Sequence, residues 1–443
     1  MKVAILGYAK EGQASLGYWQ KDGNHLTVCD QQPAGIPDGV ACQTGPDYLR
    51  NLDQFDLLIR TPGLHPADIA KANPGSPNIL DKVTTVTNEF LKVCPSRNII
   101  GITGTKGKGT TSSLVAELLK AAGKTIHLGG NIGVAPLEML KNNIQPDDWV
   151  ILELSSFQLI DIKKSPRVAT CLMVVPEHLN WHNDMDEYVT AKQQLFAYQT
   201  ETDLAIYNRG NPLSEKVVSV SAATKISYEV PVAGAEPQVT SGAYLNNDTI
   251  FMNETAVCKV SDIALIGRHN LENVCAAIAT TWEIINHDSD LVQKVIREFK
   301  GLEHRLELVR EVNNVKYYDD SFGTTPDTAI VAIQAFKEPK VVILGGSDKQ
   351  ATFDELAHVV ASGNVRSVVL IGQTAAAIQA VLQAAGYSAL VPGGTTMASI
   401  VAAAQAQAQP GDVVLLSTAC ASFDLFANYQ ERGEQFKLAV QSL

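Results

Sequence analysis

The sequence predicts an α/β protein of three domains, and three observations lead to this prediction. The chain has 443 residues, and at roughly 100 to 200 residues per domain it is too long for one hydrophobic core. Apolar residues make up 45% and charged residues 19% of the chain, which is an ordinary globular composition. Short apolar strands alternate with helical stretches throughout, a pattern typical of mainly parallel sheets covered by helices. We place the domains at residues 1–94, 95–301 and 302–443.

The first domain is predicted to be Rossmann-like. Residues 2–7 (KVAILG) form a short apolar strand, a helix follows near residues 13–20, and residues 25–30 (HLTVCD) form the next strand. The turn between them spells Gly-x-Ala-x-x-Gly over residues 7–12, and Asp30 ends the second strand. Such a turn holds a pyrophosphate at a helix N-terminus, so by itself it suggests a dinucleotide cofactor. A third strand, residues 55–60, runs into Thr61-Pro62-Gly63.

The central domain opens with a phosphate-binding loop of unusual spacing. Residues 98–104 form a buried strand, residues 101–114 (GITGTKGKGTTSSL) hold the loop, and a helix ends near Gly123. The usual pattern has four residues between its glycines and a Ser or Thr after the lysine, whereas here Gly109 follows Lys108. Backbone N–H groups and the helix dipole still favour phosphate binding, and Lys108 adds a positive charge. Thr110 or Thr111 can supply the hydroxyl that Gly109 lacks. We therefore predict a P-loop ATPase-type domain.

The rest of the central domain is predicted to be mostly parallel with a small antiparallel insert. Residues 148–154 and 168–175 form further strands, and residues 186–198 form a helix. Between about residues 210 and 260 the pattern changes to short alternating segments with turn residues, which indicates the antiparallel insert. Residues 269–285 form a strong helix.

The third domain is predicted to be a second Rossmann-like α/β unit. Its strands cover residues 315–320, 340–346, 365–372 and 412–417, and helical stretches separate them. The Ala- and Gln-rich residues 398–409 are one of these helices. This regular alternation favours a parallel sheet.

Charge and cysteine usage exclude several classes of protein. The net charge of −12 argues against a sequence-independent nucleic-acid binder, which needs an excess of Lys and Arg. The N-terminal apolar run is too short for a signal peptide, and no stretch approaches ~20 apolar residues, so we expect a cytoplasmic protein without a membrane partner. The seven cysteines include no Cys-x-x-Cys pair, so neither a disulfide framework nor a zinc site is indicated.

The loop resembles that of a known family. The arrangement Gly104-Thr105-x-Gly107-Lys108-Gly-Thr-Thr is similar to the nucleotide loop of the Mur ligase superfamily, the ATP-dependent amide ligases of peptidoglycan assembly, and of the related folylpolyglutamate synthases. The resemblance extends to several later stretches (GGNIGVAP, HNLENV, GLEHR and YYDDSFGTTPDTA). It implies an ATP site formed by Gly104, Thr105, Lys106, Gly107, Lys108, Gly109, Thr110, Thr111, Asn131, Asn270, Asn273, Arg305 and Asp320.

The same resemblance implies a metal centre. Residues 153–159 (ELSSFQL), 174–182 (VVPEHLNWH) and 186–196 (DEYVTAKQQLF) are similar to the family's metal-binding segments. Carried over by position, the ligands of one or two Mg²⁺ ions are Thr110, Glu153, His178 and Lys192, the last as a carbamate. Lys108, Glu153, His178 and Lys192 are then the expected catalytic residues.

The two end domains select one branch of the superfamily. Folylpolyglutamate synthases lack the first domain, whereas in the glutamate-adding Mur ligases it binds the UDP end of the substrate, which also explains the glycine turn without a redox cofactor. The implied UDP-substrate residues are Gly7, Tyr8, Ala9, Lys10, Asp30, Thr61, Pro62 and Gly63. Residues 344–349 (LGGSDK) and 416–426 (LSTACASFDLF) resemble the glutamate-binding segments, and the implied residues are Thr324, Lys349, Ser422, Phe423 and Tyr429.

Three departures from the family pattern leave the amino acid open. Phe322 stands where the family has a lysine, Gly323-Thr324-Thr325 replaces Ala-Thr-Asn, and Phe423 replaces a smaller aliphatic residue. We expect an ATP-dependent ligase that joins glutamate, with the D form favoured, to UDP-N-acetylmuramoyl-L-alanine through an acyl phosphate in cell wall biogenesis. The alternatives are an L-glutamate-adding variant, a folylpolyglutamate synthase-like ligase, and a nucleotide-dependent regulatory protein without catalysis. The sequence carries no oligomeric signal, and a monomer is expected.

Overall fold

The computed structural model describes residues 1–21, 23–131, 133–232, 234–238 and 240–443, and these residues contain three β-sheets. The chain divides into two compact units. We call residues 1–262 with 271–297 the N-terminal unit, and residues 263–270 with 298–443 the C-terminal unit. Three mainly parallel sheets confirm the predicted fold class. The three domain limits proposed from the sequence stay predictions.

The first sheet of the N-terminal unit is parallel and five-stranded. Its strands are β1 (Lys2–Leu6), β2 (His25–Asp30), β3 (Ala41–Thr44), β4 (Leu57–Arg60) and β5 (Val83–Thr85), with helices α1 (Lys10–Trp19), α2 (Pro66–Ala72) and α3 (Val86–Val93). The strand order is β3-β2-β1-β4-β5, so the chain reverses direction across the sheet beside β1. In open α/β sheets the crevice at such a reversal, outside the carboxyl ends of the strands, is the usual ligand site.

The second sheet has nine strands. They are β6 (Ile99–Thr103), β7 (Ile126–Gly130), β8 (Trp149–Glu153), β9 (Val168–Cys171), β10 (Leu204–Asn208), β11 (Thr224–Glu229), β12 (Ala243–Asn246), β13 (Thr249–Met252) and β14 (Thr255–Lys259). The helices of this region are α4 (Lys108–Ala121), α5 (Pro136–Met139), α6 (Ser156–Leu159), α7 (Met185–Ala197), α8 (Pro212–Val218), α9 (His269–Thr281) and α10 (Ser289–Glu298).

The order of this sheet is β14-β13-β12-β11-β10-β9-β6-β8-β7. Neighbouring strands are parallel from β7 to β12, and β12, β13 and β14 pair antiparallel. The predicted antiparallel insert is therefore real, but it extends the edge of the central sheet and does not form a separate one. β6, which leads into the phosphate-binding loop, lies inside the sheet, and all five of its residues are buried.

The sheet of the C-terminal unit has six strands. They are β15 (Glu307–Val312), β16 (Val315–Asp319), β17 (Lys340–Gly345), β18 (Val365–Ile371), β19 (Leu390–Pro392) and β20 (Val413–Leu416), in the order β15-β16-β20-β17-β18-β19. The helices are α11 (Pro326–Gln334), α12 (Asp354–Ser362), α13 (Ala375–Ala384), α14 (Met397–Gln407) and α15 (Tyr429–Gln441). β15 runs antiparallel to β16, and the other pairs are parallel.

Apolar side chains fill both faces of this sheet. One face packs against α11, α12 and α13 and the other against α14 and α15. The Ala- and Gln-rich segment is helix α14, as the sequence predicts. Within the described ranges, no helix has both the length and the apolar content needed to cross a bilayer.

Candidate active site

The loop between β6 and α4 can only be built with glycine at two positions. Gly104 has φ +144° and Gly107 has φ +88°, in the range that side chains disfavour. A Cβ on Gly104 would lie 2.6 Å from the Cβ of Leu172, and one on Gly107 would lie 2.3 Å from Oδ1 of Asn273. The loop backbone therefore packs directly against its neighbours and leads straight into the N-terminus of α4, a position that favours an anion.

Lys108 folds back over this loop. It is the first residue of α4, and its Nζ donates to the carbonyls of Gly104 and Thr105 at 3.0 Å each. Its ammonium group thus lies at the mouth of the turn, where the sequence predicts the outer phosphates. Thr110 and Thr111 follow in the first turn of α4 and are both buried.

The predicted metal ligand Glu153 lies beside this loop. It ends β8, is 2% exposed, and pairs in register with Ile102 of β6, two residues before Gly104. The Nδ2 of Asn131 donates to its Oε1 at 3.0 Å. The structure therefore brings an amide that the sequence assigned to the ATP site into contact with a carboxylate that it assigned to the metal centre.

Lys192 reaches the loop from helix α7. Its side chain is buried at 1% exposure, and its Nζ donates to the carbonyl of Gly104 at 3.2 Å, the same oxygen that Lys108 binds. Burial, and next the charge of Lys108, lower the pKa of Lys192 from 10.5 to about 7. A substantial fraction of this amine is therefore neutral at physiological pH.

His178 follows β9 and has a left-handed backbone, with φ +59°. Its ring packs against Phe157 with the ring centroids 4.8 Å apart. Burial lowers its pKa, and the charges of Lys108 and Lys192 lower it further, while Glu177 opposes them. The imidazole is therefore held neutral, which is the form that binds metal ions.

A cavity of 460 Å³ lies at the carboxyl ends of β1 and β4. Eight of its lining residues are those that the sequence assigns to the UDP substrate, namely Gly7, Tyr8, Ala9, Lys10, Asp30, Thr61, Pro62 and Gly63. Gly130 and Asn131 line it as well, so the cavity extends from the first glycine turn to the amide that contacts Glu153. It therefore reaches the neighbour of one predicted metal ligand, Glu153.

Local contacts fix the wall of this cavity. Gly7 has φ +96°, and a Cβ there would lie 2.2 Å from Oγ1 of Thr61. Asp30 accepts a hydrogen bond from the backbone N–H of Tyr8 at 2.6 Å, so in this structure it holds the glycine turn. Lys10 donates to the carbonyl of Gly133.

The sequence analysis missed two charged residues of this region. Glu11 lines the cavity, accepts a hydrogen bond from Gln158 at 2.7 Å, and has a pKa raised by burial. Arg60 is fully buried and donates two N–H groups to the carboxylate of Asp161, at 2.7 and 2.8 Å. A lone arginine ending the apolar strand LLIR was the available signal, because a buried charge requires a partner.

In the C-terminal unit, Arg305 and Tyr429 contact the ring of Phe322, and Asp320 lies two residues before it. The guanidinium of Arg305 lies 4.2 Å from the centre of the Phe322 ring, and the Tyr429 ring meets it edge-on at 5.2 Å. Asp320 accepts hydrogen bonds from Oγ of Ser417 at 2.7 Å and from the backbone N–H of Leu306 at 3.2 Å. Burial raises the pKa of Asp320 to about 7.

Most of the predicted glutamate residues lie on two adjoining segments of the C-terminal unit. Ser347 forms a β-bridge with Ala421, which brings residues 344–349 beside residues 416–426. Lys349 places its Nζ 5.5 Å from the centre of the Phe423 ring, and Phe423 is 67% exposed. Ser422 is buried, whereas Thr324 is half-buried just before α11. The structure therefore brings Lys349 to Phe423, the neighbour of Ser422, whereas Thr324 precedes α11 and Tyr429 begins α15.

Two family models match the chain. Residues 102–281 match the Mur ligase middle domain, and residues 304–420 match the Mur ligase glutamate ligase domain. The chain is also 36% identical to UDP-N-acetylmuramoylalanine--D-glutamate ligase of Clostridium tetani, an alignment that covers 100% of this chain and 97% of that relative. The chain belongs to the Mur ligase family. Mur ligases are ATP-dependent ligases, so this protein is an ATP-dependent ligase, as the sequence predicts.

Other Mur ligases give the same result. The enzyme of the same name from Acetivibrio thermocellus is 37% identical over 100% of this chain and 96% of its own length. Among solved structures, UDP-N-acetylmuramate-alanine ligase of Thermotoga maritima has a TM-score of 0.61 at 18% identity, covering 100% of this chain and 99% of its own. The MurF ligase of Thermotoga maritima, solved with ADP, has a TM-score of 0.60 at 16% identity over 99% and 95%. At these low identities the two solved structures show only that this chain shares their fold.

Proposed function

We propose that this Mur ligase joins glutamate, with the D form favoured, to UDP-N-acetylmuramoyl-L-alanine in peptidoglycan precursor synthesis. The observation that carries the proposal is the 460 Å³ cavity, which all eight residues assigned to the UDP substrate line and which extends to Asn131 beside Glu153. The names of the relatives from Clostridium tetani and Acetivibrio thermocellus support the same substrates. The proposal includes a monomeric enzyme in the cytoplasm.

The chemistry requires activation of a carboxylate. A carboxylate is a poor electrophile, so the alanine carboxylate attacks the γ-phosphorus of ATP, and ADP leaves. The glutamate amine then attacks the carbonyl carbon of the acyl phosphate, loses a proton, and expels inorganic phosphate as the amide forms. Lys108 and the loop N–H groups bind the phosphates and stabilise the charge that gathers on the transferred phosphoryl group.

The donor atoms at the loop fit Mg²⁺. The hydroxyl of Thr110, the carboxylate of Glu153 and the neutral imidazole of His178 would hold it, and carboxylate oxygens are ligands that Mg²⁺ prefers. When bound, the ion supplies neutralisation of phosphate charge.

Lys192 is proposed to act as a carbamate. The neutral amine attacks CO₂, an N–C bond forms, and one proton is released, which leaves an anionic ligand. Two features support this step: the burial that lowers the pKa of Lys192 to about 7, and the shared Gly104 carbonyl that brings Lys108 close. Carbamylation turns the repulsion between two ammonium groups into an attraction. In protein supplied with ¹³C-labelled bicarbonate, a carbamate carbon signal that is absent from Lys192→Met is expected.

Lys349 is proposed to bind a carboxylate of glutamate. Its ammonium lies 5.5 Å from the centre of the exposed Phe423 ring, and the buried Ser422 precedes that phenylalanine in the chain. A charge-assisted contact of this kind lets a protein of net charge −12 hold an acidic amino acid.

One assay tests the proposal. Phosphate release from ATP is measured with UDP-N-acetylmuramoyl-L-alanine and either D-glutamate or L-glutamate, and we expect turnover with the D form. No turnover with either would overturn the proposal. Turnover with the L form alone would move the protein to the L-glutamate-adding variant, which the substitutions at Phe322 and Phe423 favour as the second candidate.

A further inference from the structure

Arg305 is presented by a strained turn of the C-terminal unit. Its two neighbours, His304 and Leu306, have left-handed backbones with φ of +61° and +47°. Residues other than glycine rarely adopt this conformation, and it persists only when surrounding contacts enforce it. The position of Arg305 is therefore imposed by the fold.

Three contacts hold this turn against the end of β16 and the segment that follows it. The Nδ1 of His304 lies 2.7 Å from Oδ2 of Asp319, and the carbonyl of His304 accepts a hydrogen bond from the N–H of Phe322 at 2.9 Å. The N–H of Leu306 donates to Asp320 at 3.2 Å. Helix α15 closes the other side, since a Cβ on Gly433 would lie 2.1 Å from Nδ1 of His304.

These contacts fix the backbone of Arg305, but its side chain has several further rotatable bonds. The guanidinium is held over the face of Phe322, 4.2 Å from the ring centre. Two contacts hold Phe322 in place. The Tyr429 ring meets the Phe322 ring edge-on at an interplanar angle of 83°, and the backbone N–H of Phe322 donates to the carbonyl of His304. A guanidinium over an aromatic face is attracted by the ring quadrupole. Phe322 is 37% exposed.

We propose that Phe322 is a positioning residue whose ring orients the guanidinium of Arg305 for binding the nucleotide. The inference rests on the proposed function in one respect, the assignment of Arg305 to the ATP site. Phe322 acts through Arg305 and not on the reacting atoms. Replacing the Phe322 ring should therefore lower the affinity for ATP and leave the affinity for the UDP substrate unchanged.

The test is a double-mutant cycle read by calorimetric ATP binding, with no other substrate present. Phe322→Leu keeps the apolar bulk and removes the π face, and we expect it to weaken ATP binding about 5-fold, the size of an exposed cation–π contact. Phe322→Tyr keeps the face and is expected to bind within about twofold of the unmodified protein. In the Arg305→Ala background, Phe322→Leu should cause no further loss, because the group that it orients is gone.

Steady-state kinetics supply the second readout and a matched control. Phe322→Leu should raise KM for ATP as much as it weakens binding, with kcat at saturating ATP and KM for the UDP substrate unchanged. Phe423 is the control, since it is also an exposed phenylalanine beneath a cation, Lys349 at 5.5 Å. Phe423→Leu should instead raise KM for glutamate and leave ATP binding intact.

Several results would overturn the inference. The first is an ATP affinity that Phe322→Leu or Arg305→Ala leaves unchanged. The second is an equal loss of ATP affinity in Phe322→Leu and Phe322→Tyr. The third is a double mutant whose loss of ATP affinity is the sum of the two single losses. The proposed function fails separately, by an absence of turnover with either glutamate enantiomer in the unmodified protein. Because ATP binding is measured without turnover, the cycle decides the role of Phe322 in either case.

Discussion

Lys108 supplies a positive charge at the phosphate-binding loop. Its Nζ is held at the mouth of the turn by two carbonyls, so its place is set before any nucleotide binds. We expect Lys108→Ala to reduce ATP turnover by at least about 100-fold, since it removes a charge aimed at the transferred phosphoryl group. Binding of the UDP substrate, measured by calorimetry, should be retained.

Lys120→Ala is the control for this variant. Lys120 lies near the other end of α4, is exposed, and pairs with Glu117 at 2.7 Å on the same helix. We expect it to keep full activity. Unchanged ATP turnover in Lys108→Ala would show that the loop has a different role.

Asp320 gives a prediction about pH. Its folded-state pKa of about 7 lies above the ordinary value of 3.8, so the unfolded chain ionises first as the pH rises. The resulting cost to stability begins above pH 3.8 and is complete above about pH 7. Asp320→Asn should therefore raise the free energy of unfolding at pH 8, on the order of 4 kcal/mol, and change it little at pH 4.

Denaturant unfolding at the two pH values checks this prediction. The amide fits the site, because its oxygen can accept from the N–H of Leu306 and its NH₂ can donate to Ser417. ATP affinity should fall in the same variant if Asp320 contacts the nucleotide. A stability gain of equal size at pH 4 and pH 8 would contradict the assigned pKa.

At the scale of elements, the turn from β6 into α4 depends on its glycines more than on its exact spacing. Gly107→Ala adds a Cβ at φ +88° and 2.3 Å from Oδ1 of Asn273. We expect a loss of about 1–3 kcal/mol in the free energy of unfolding and a loss of ATP binding, because the backbone N–H groups must move. Thermal unfolding and calorimetric titration with ATP measure the two effects.

The same helix offers a matched control. Gly123, which follows α4, also has a positive φ of +75°, but a Cβ there would meet nothing within 4 Å. Gly123→Ala should cost about 1 kcal/mol of stability, from backbone strain alone, and keep ATP binding. If both variants bound ATP equally well, the packing around Gly107 would not matter to the loop.

At the scale of the whole molecule, the two compact units predict two unfolding transitions. In the part of the chain that the structure describes, the two units share no sheet and each has its own apolar core, and chains of this size often depart from two-state behaviour. The cavity assigned to the UDP substrate lies within the N-terminal unit. Saturating UDP-N-acetylmuramoyl-L-alanine at 100 times its Kd should stabilise that unit alone, by about 2.7 kcal/mol. Scanning calorimetry that showed one transition, shifted as a whole, would contradict this.

Much of the fold could be predicted from the sequence because it depends on the spacing of residues that are close along the chain. The alternation of strands and helices, the glycine turns at Gly7 and Gly107, and the helical nature of α14 all follow from neighbours in sequence. The antiparallel insert was also predicted, but its attachment to the central sheet was not, because edge pairing is decided between segments distant along the chain.

The sequence by itself determined the family, the alternation of strands and helices, and the residue types available for phosphate, metal and substrate. Only the tertiary structure decided how deeply those residues are buried and which groups they contact. Lys192 meets the carbonyl of Gly104 across 88 residues, and that burial lowers its pKa. Arg60 finds Asp161 across 101 residues, and Arg305 rests on Phe322. Burial, partner and orientation arise from packing between remote segments, which residue identity and local spacing do not specify.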